Sequence, residues 1–269
     1  GLVSYCFAPP QYCVGKGSSE IFIYSVNGQL IKNFLVKDYP ASGLTVDDRL
    51  ILADIDNDGE KEIGYGSFLY GVIYFYNGDG SLVQNFFGGE EYFSQKEYII
   101  PSDLNRDGNL EIIVSYKEYK TQKNFLTVLD NKGNVLNGWP KETIGYSLFT
   151  RPTTFDINSD GNLEIFIMTS TGLVYSWDYN GVPLKNFPIE ILLYLNTAGI
   201  AVDDIDNDGI IEVVESTGYV FKLPNYLKKV EDKLNWPMWK HDPQNTGIYG
   251  FSIDSLFCQS HTYYSSPSS

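Results

Sequence analysis

Histidine is almost missing from this chain: His241 and His261 are the only two in 269 residues. His241 reads as part of a turn or packed segment and His261 lies in a polar tail, so neither marks an imidazole-based catalyst. Zinc-ligand spacing, a Gly-x-Ser-x-Gly elbow and a phosphate-cradling glycine loop are absent too, which removes the commonest hydrolase and nucleotide chemistries. Basic residues are few, with 19 Lys and Arg against 34 Asp and Glu, a net charge of −15 and a pI near 4.4. Such a surface repels a phosphate backbone and excludes a nucleic-acid partner. The one basic cluster, Lys228, Lys229 and Lys233, encloses Glu231 and Asp232 and reads as a solvated turn. No apolar run reaches 18 residues, so no helical membrane span is expected. The chain opens at Gly1 without a basic-then-apolar leader, as a processed or trimmed form would.

Cysteine is scarce, with three residues. Cys6 and Cys13 flank Pro9 and Pro10, a spacing that suits a small disulfide-closed loop better than a metal pair. Cys258 is left over: free, bridging molecules, or replacing one partner of that pair. Disorder is excluded by composition, because 43% apolar and 15% aromatic content is ample for a packed core.

Against these absences stands one phrase, nine residues long, that returns four times. Its first, third, fifth and ninth positions are Asp54, Asp56, Asp58 and Glu62; Asp103, Asn105, Asp107 and Glu111; Asp156, Asn158, Asp160 and Glu164; Asp204, Asp206, Asp208 and Glu212. The seventh positions, Glu60, Asn109, Asn162 and Ile210, are assigned to the same set. Gly59, Gly108, Gly161 and Gly209 follow the fifth positions and permit the positive φ of a tight reversal. Oxygen ligands at alternate positions of a small loop converge on one centre, the arrangement a hard cation requires. Carboxylates so close repel strongly unless a divalent ion joins them. Of the sixteen first, third, fifth and ninth positions, 14 are acidic, almost the whole net charge of the chain, and four Ca²⁺ would return +8. The last acid comes at position 9 and apolar β-type sequence follows, which separates the loop from the helix-flanked EF-hand. Whether that glutamate ligates directly is left open by spacing alone.

The first ligands recur at intervals of 49, 53 and 48 residues, a period of propellers and solenoids. Each unit predicts a strand before the loop (A), one after it (B), and a hairpin (C and D) around turns 77–80, 131–133 and 179–181. Complete units run over residues 48–87, 97–140 and 150–188, and a fourth begins at 198 with its D strand at 233–237. The N-terminal segment predicts B at 2–7, C at 20–26 and D at 29–35, with A supplied by residues 246–253. The expected fold is an all-β propeller of five four-stranded blades, residues 1–253, closed by that last strand, with a polar tail over 254–269. Closure removes exposed sheet edges.

Antiparallel alternation puts the A–B loops and C–D turns on one face and the B–C loops and connectors on the other. The connectors carry Tyr39, Tyr92, Phe93, Tyr98, Tyr146, Phe149 and Tyr194, candidates for a recognition face or for packing between blades. Asp47, Asp48 and Asp203 adjoin cages and read as support for them.

The loops resemble the FG-GAP and VCBS repeats of extracellular β-propellers, including those of integrin α subunits, with Glu replacing Asp at position 9. The segment WPMWKHDPQNTG, residues 236–247, resembles the end of many secreted prokaryotic propellers. The resemblance implies bound Ca²⁺, about four ions, and a secreted or cell-surface setting. The implied role is a non-catalytic binding or adhesion module for an extracellular protein, a glycan, or copies of itself. Alternatives are a structural subunit of an extracellular layer or filament, and a lyase-like polysaccharide-active enzyme.

Overall fold

The computed structural model describes residues 3–6, 12–16, 20–25, 27–36, 50–66, 72–86, 98–118, 120–145, 151–191, 200–206, 208–215 and 220–227. Every regular element among them is a strand, and the strands form five antiparallel sheets in chain order. Sheet one holds β1 (Val3–Cys6), β2 (Tyr12–Lys16), β3 (Glu20–Ser25) and β4 (Leu30–Leu35). Sheet two holds β5 (Leu50–Ala53), β6 (Glu62–Gly66), β7 (Ile73–Tyr76) and β8 (Leu82–Phe86). Sheet three holds β9 (Tyr98–Ser102), β10 (Glu111–Lys117), β11 (Asn124–Leu129) and β12 (Lys141–Thr143). Sheet four holds β13 (Thr153–Phe155), β14 (Glu164–Met168), β15 (Leu173–Trp177) and β16 (Ile189–Glu190). Sheet five shows β17 (Ile200–Asp203), β18 (Ile210–Glu215) and β19 (Val220–Leu227). Each sheet is a meander in which every strand pairs with its neighbour in sequence. These are the blades of a β-propeller.

The inner strands are apolar at successive positions because both faces of each sheet are covered. In blade two Ile51, Ala53, Ile73 and Phe75 face blade three, while Leu52, Ile63, Tyr65, Tyr74 and Tyr76 face blade one. In blade four Ile165, Ile167 and Trp177 face blade three, and Phe166, Met168 and Val174 face blade five. The period-2 geometry of a strand sends neighbours to opposite faces, so a sheet between two sheets reads as an unbroken hydrophobic run. One core cluster joins blades one and two, a second joins two, three and four, and a third joins four and five.

Two expectations are corrected. Blade one was expected to lack strand A, yet β1 to β4 give it four strands from the N-terminal segment alone, with residues 3–6 as A and 12–16 as B. The segment between the prolines and Gly17 is long enough for a strand of its own. Residues 246–253, the expected closing strand, lie outside the described residues, as do 233–237 and the tail. The D strands of blades three and four also lie later than expected. They do not end in Gly-Trp-Pro or Asn-Phe-Pro but follow them, with Asn124 opposite Thr143 and Leu173 opposite Glu190. Pro140 and Pro188 have no N–H to give a ladder, so pairing resumes beyond them. Before them only single bridges form, Leu129 to Val135 and Trp177 to Pro183.

Candidate metal centres

Each nine-residue loop connects strand A to strand B, and all four are held by one repeated hydrogen-bond frame. In the first, Asp54 accepts the Asp58 N–H at Oδ1 and the Gly59 N–H at Oδ2, both at 3.0 Å. Asp103 and Asp156 do the same to the fifth and sixth positions of their loops at 3.0 to 3.1 Å, and Asp204 does so to Asp208 and Gly209. Position 3 accepts the same fifth-position N–H: Asp56 at 3.3 Å, Asn105 at 3.0 Å, Asn158 at 2.8 Å and Asp206 at 3.2 Å. Position 5 accepts the N–H of position 7 at 2.8 Å in every loop. At Ile210, therefore, the only oxygen on offer is the main-chain carbonyl.

The turn reaches its pitch through left-handed residues. Asn57, Arg106 and Ser159 have φ near +60°, and the glycines at position 6 have φ from +87° to +100°. A Cβ on Gly59 would meet nothing within 4 Å, so the glycine is required by backbone conformation and not by space.

The ninth residue is the buried member. One oxygen of each glutamate accepts the N–H of position 2: Ile55 on Glu62 at 2.8 Å, Leu104 on Glu111 at 2.8 Å, Ile157 on Glu164 at 2.9 Å and Ile205 on Glu212 at 3.0 Å. The four glutamates are 0 to 4% exposed. In the first and fourth loops the other oxygen, Oε1 of Glu62 and of Glu212, is buried and has no hydrogen-bond partner. In the third, Oε1 of Glu164 takes the Asn158 side-chain amide at 2.8 Å. Burial pushes Glu62 up to about 7 and Glu111 and Glu164 up to about 8, with the neighbouring aspartates adding to the rise. Burial raises Asp103 as well, whereas its main-chain hydrogen bond from Asn109 holds Asp107 below the usual carboxylate range.

Carboxylate oxygens of Asp54, Asp56 and Asp58 lie within 4.8 Å of one another, as do those of Asp204, Asp206 and Glu212. An all-oxygen donor set of this size, with an orphaned buried carboxylate oxygen, fits a hard divalent cation.

No protein-family model matches the sequence, and no curated protein matches it. Solved structures do. BBS1N, solved in complex with ARL6DN, aligns at a TM-score of 0.53 and 15% identity over 88% of this chain and 65% of that one. The WD40 domain of coronin from Toxoplasma gondii aligns at a TM-score of 0.50 and 10% identity over 88% of this chain and 59% of that one. The likeness shows a propeller fold. In both cases this chain corresponds to less than two thirds of the solved chain.

The first three loops touch in succession. Asn57 donates to Asn109 Oδ1 at 2.9 Å, the Leu163 N–H donates to the Leu104 carbonyl at 2.8 Å, and the Arg106 guanidinium lies 3.4 Å from Asp156. Asn131, in a C–D turn, reaches Asn109 at 3.4 Å, which places the C–D turns beside the cages as antiparallel alternation requires. Tyr179, from the next blade's turn, is raised by burial and by the charge of Glu111. Tyr179 and Arg106 were not among the expected residues. Their signal in sequence is weak, because each owes its place to a partner outside its own loop.

Of the expected recognition aromatics only Tyr98 is described. It is half-buried at the start of β9, and Arg151 lies 4.7 Å from its ring centre, a packing contact between blades three and four. Tyr39, Tyr92, Phe93, Tyr146, Phe149 and Tyr194 lie outside the described residues, as do Cys258 and both histidines. Cys6 and Cys13 stand directly opposite each other in the β1–β2 register.

Proposed function

We propose that this chain is a calcium-stabilised β-propeller of the FG-GAP and VCBS kind that works as a non-catalytic binding module outside the cytoplasm. The observation that carries the reading is the buried, unpartnered Oε1 of Glu62 behind the converging Asp54, Asp56 and Asp58. Leaving a carboxylate oxygen buried without a partner is costly, and a calcium ion supplies the missing one. In this reading the ninth glutamate gives one oxygen to the main chain and the other to the ion. The first, third and fifth side chains and the seventh carbonyl complete the cage. Millimolar calcium and an oxidising milieu occur together outside cells, where the opposed Cys6 and Cys13 would form a disulfide across β1 and β2. The rigid ring then presents its connector loops to an extracellular protein or glycan.

Equilibrium dialysis tests the calcium part: the account expects about one calcium per loop, with magnesium a poor competitor because it demands a tighter octahedral shell. No bound calcium at millimolar concentration would reject it. The binding part is tested on panels of extracellular proteins, glycans and acidic polysaccharides, with and without chelator. Turnover of a polysaccharide would replace the binding reading with the enzymatic one.

A second reading, a subunit of an extracellular layer, is favoured by β4. This edge strand exposes Leu30, Ile31 and Leu35 at 51 to 70%. Apolar edge strands invite pairing with another chain. Sedimentation of Ile31→Lys beside the parent chain distinguishes the readings, since a layer subunit loses its self-association.

A further inference from the structure

The fourth loop already holds a cation of its own. Lys222 lies on β19 directly opposite Glu212 of β18. Its ammonium is 2.9 Å from Asp206 Oδ2 and 3.4 Å from Glu212 Oε1, and it also bonds Asp208 Oδ2. The 3.4 Å approach to Glu212 is an ion pair without hydrogen-bond geometry, which is why that oxygen remains without a hydrogen-bond partner. Continuing the registers of the other blades by one step puts Asn77 opposite Glu62, Asp130 opposite Glu111 and Asp178 opposite Glu164. An amide or a carboxylate therefore occupies the place that Lys222 has in blade five.

The ammonium touches three of the residues that would surround an ion in this loop. Asp206 and Glu212 are also among the three whose oxygens converge within 4.8 Å. Lys222 and Ca²⁺ cannot both be close to the same oxygens, since like charges at such distances repel strongly. The side chain is 44% exposed and ends a flexible four-carbon stem, so it can swing out to solvent when an ion enters.

We propose that Lys222 is a tethered counter-ion of the fourth loop, and that calcium enters this site only by displacing it. The inference rests on the reading that the loops bind calcium. It makes loop four a conditional site. At low calcium the lysine offsets part of the loop's negative charge and helps hold it folded, and at high calcium the ion replaces it. Whatever the ammonium contributes to the metal-free loop is subtracted from calcium affinity there, because the two effects are reciprocal. The selectivity of the switch is for a hard divalent cation of calcium's size arriving at concentrations high enough to overcome an internal competitor.

The test compares the parent chain with Lys222→Met, which keeps the stem without the charge, and Lys222→Arg, which keeps a cation. Asp204→Ala identifies the fourth-site step in calcium titrations followed by calorimetry. The expected result is that Lys222→Met tightens this one step by on the order of tenfold and leaves the other loops unchanged. Lys222→Arg stays nearer the parent. In chelator the order reverses, and Lys222→Met melts below both. If calcium binds but the fourth step is unmoved by Lys222→Met, the tether is wrong and the calcium reading survives. If no loop binds calcium, that reading falls and the displacement with it. The melting order in chelator then still shows whether Lys222 holds the loop.

Discussion

At the scale of single residues the four acidic positions are not equivalent. Asp54 accepts two main-chain N–H groups and so shapes its loop whether or not an ion is present, while Asp56 makes one longer contact and, on the calcium proposal, acts chiefly as a ligand. Asp54→Ala should therefore lower stability by about 1–3 kcal/mol even in chelator. Asp56→Ala should mainly blunt the response to calcium, and thermal melts with and without calcium separate the two. Gly59→Val should damage the turn at saturating calcium, because φ of +93° strains a β-branched residue by about 1–3 kcal/mol or more. The buried glutamates add a pH dependence. Their folded values, about 7 for Glu62 and about 8 for Glu111 and Glu164, lie above the ordinary 4.5. Without metal the fold favours their protonated forms, so their stabilising share is full below 4.5 and fades as pH climbs toward 7 to 8. Calcium takes the ionised forms. Proton release on calcium binding should then appear in that window, and the calcium-induced rise in melting temperature should be larger at alkaline than at mildly acid pH. Equal gains at both would contradict the burial of these side chains.

The shared frame of the four loops was legible at this scale because spacing inside one turn is a local property. Lys222 was not. It enters the fourth cage from the opposite strand, and only the β18–β19 register shows which loop it faces.

Among elements, the inner strands were the easiest to read. Their apolar runs answer to burial on both faces, and the A–B–C order follows in every blade where the loop marks its start. The outer D strands were harder, since they carry less of the core and their pairing depends on where a proline interrupts the ladder. Blade one misled for a related reason. It has no acidic loop to mark the A–B corner, so nothing in the sequence distinguishes β2 (YCVGK) as strand B or β1 as strand A. The packing between blades supplies its own prediction. Trp177 is buried between blades three and four, stacked on Tyr175 at 5.3 Å and edge-on to Trp139 at 5.9 Å. The Trp139 indole in turn donates to the Tyr179 carbonyl at 3.0 Å. Trp177→Ala should cost about 3–5 kcal/mol in denaturant unfolding, whereas truncating exposed Leu35 should cost little. Similar costs for both would mean that the blades do not share this core.

For the whole molecule the decisive feature is that the first three acidic loops touch in succession. Contacts run from loop one to loop two through Asn57 and Asn109, and from loop two to loop three through Leu104, Leu163 and the Arg106–Asp156 pair. On the calcium proposal, an ion that orders one of these corners would also brace the next blade. The five-blade count was legible from the repeat period and from the β-rich N-terminal segment, whereas the manner of closure was not, because it depends on contacts between distant parts of the chain. In the fifth blade Ile205 is 50% exposed, although its counterparts Ile55, Leu104 and Ile157 are buried under the following blade.

The measurement that bears most directly on the account is thermal unfolding of the intact chain in chelator, in calcium and in magnesium. Each independent site at 100 times its dissociation constant should contribute about 2.7 kcal/mol. The account predicts a large fall in melting temperature on chelation, restored by calcium and poorly by magnesium. A melting temperature that does not respond to calcium would contradict it.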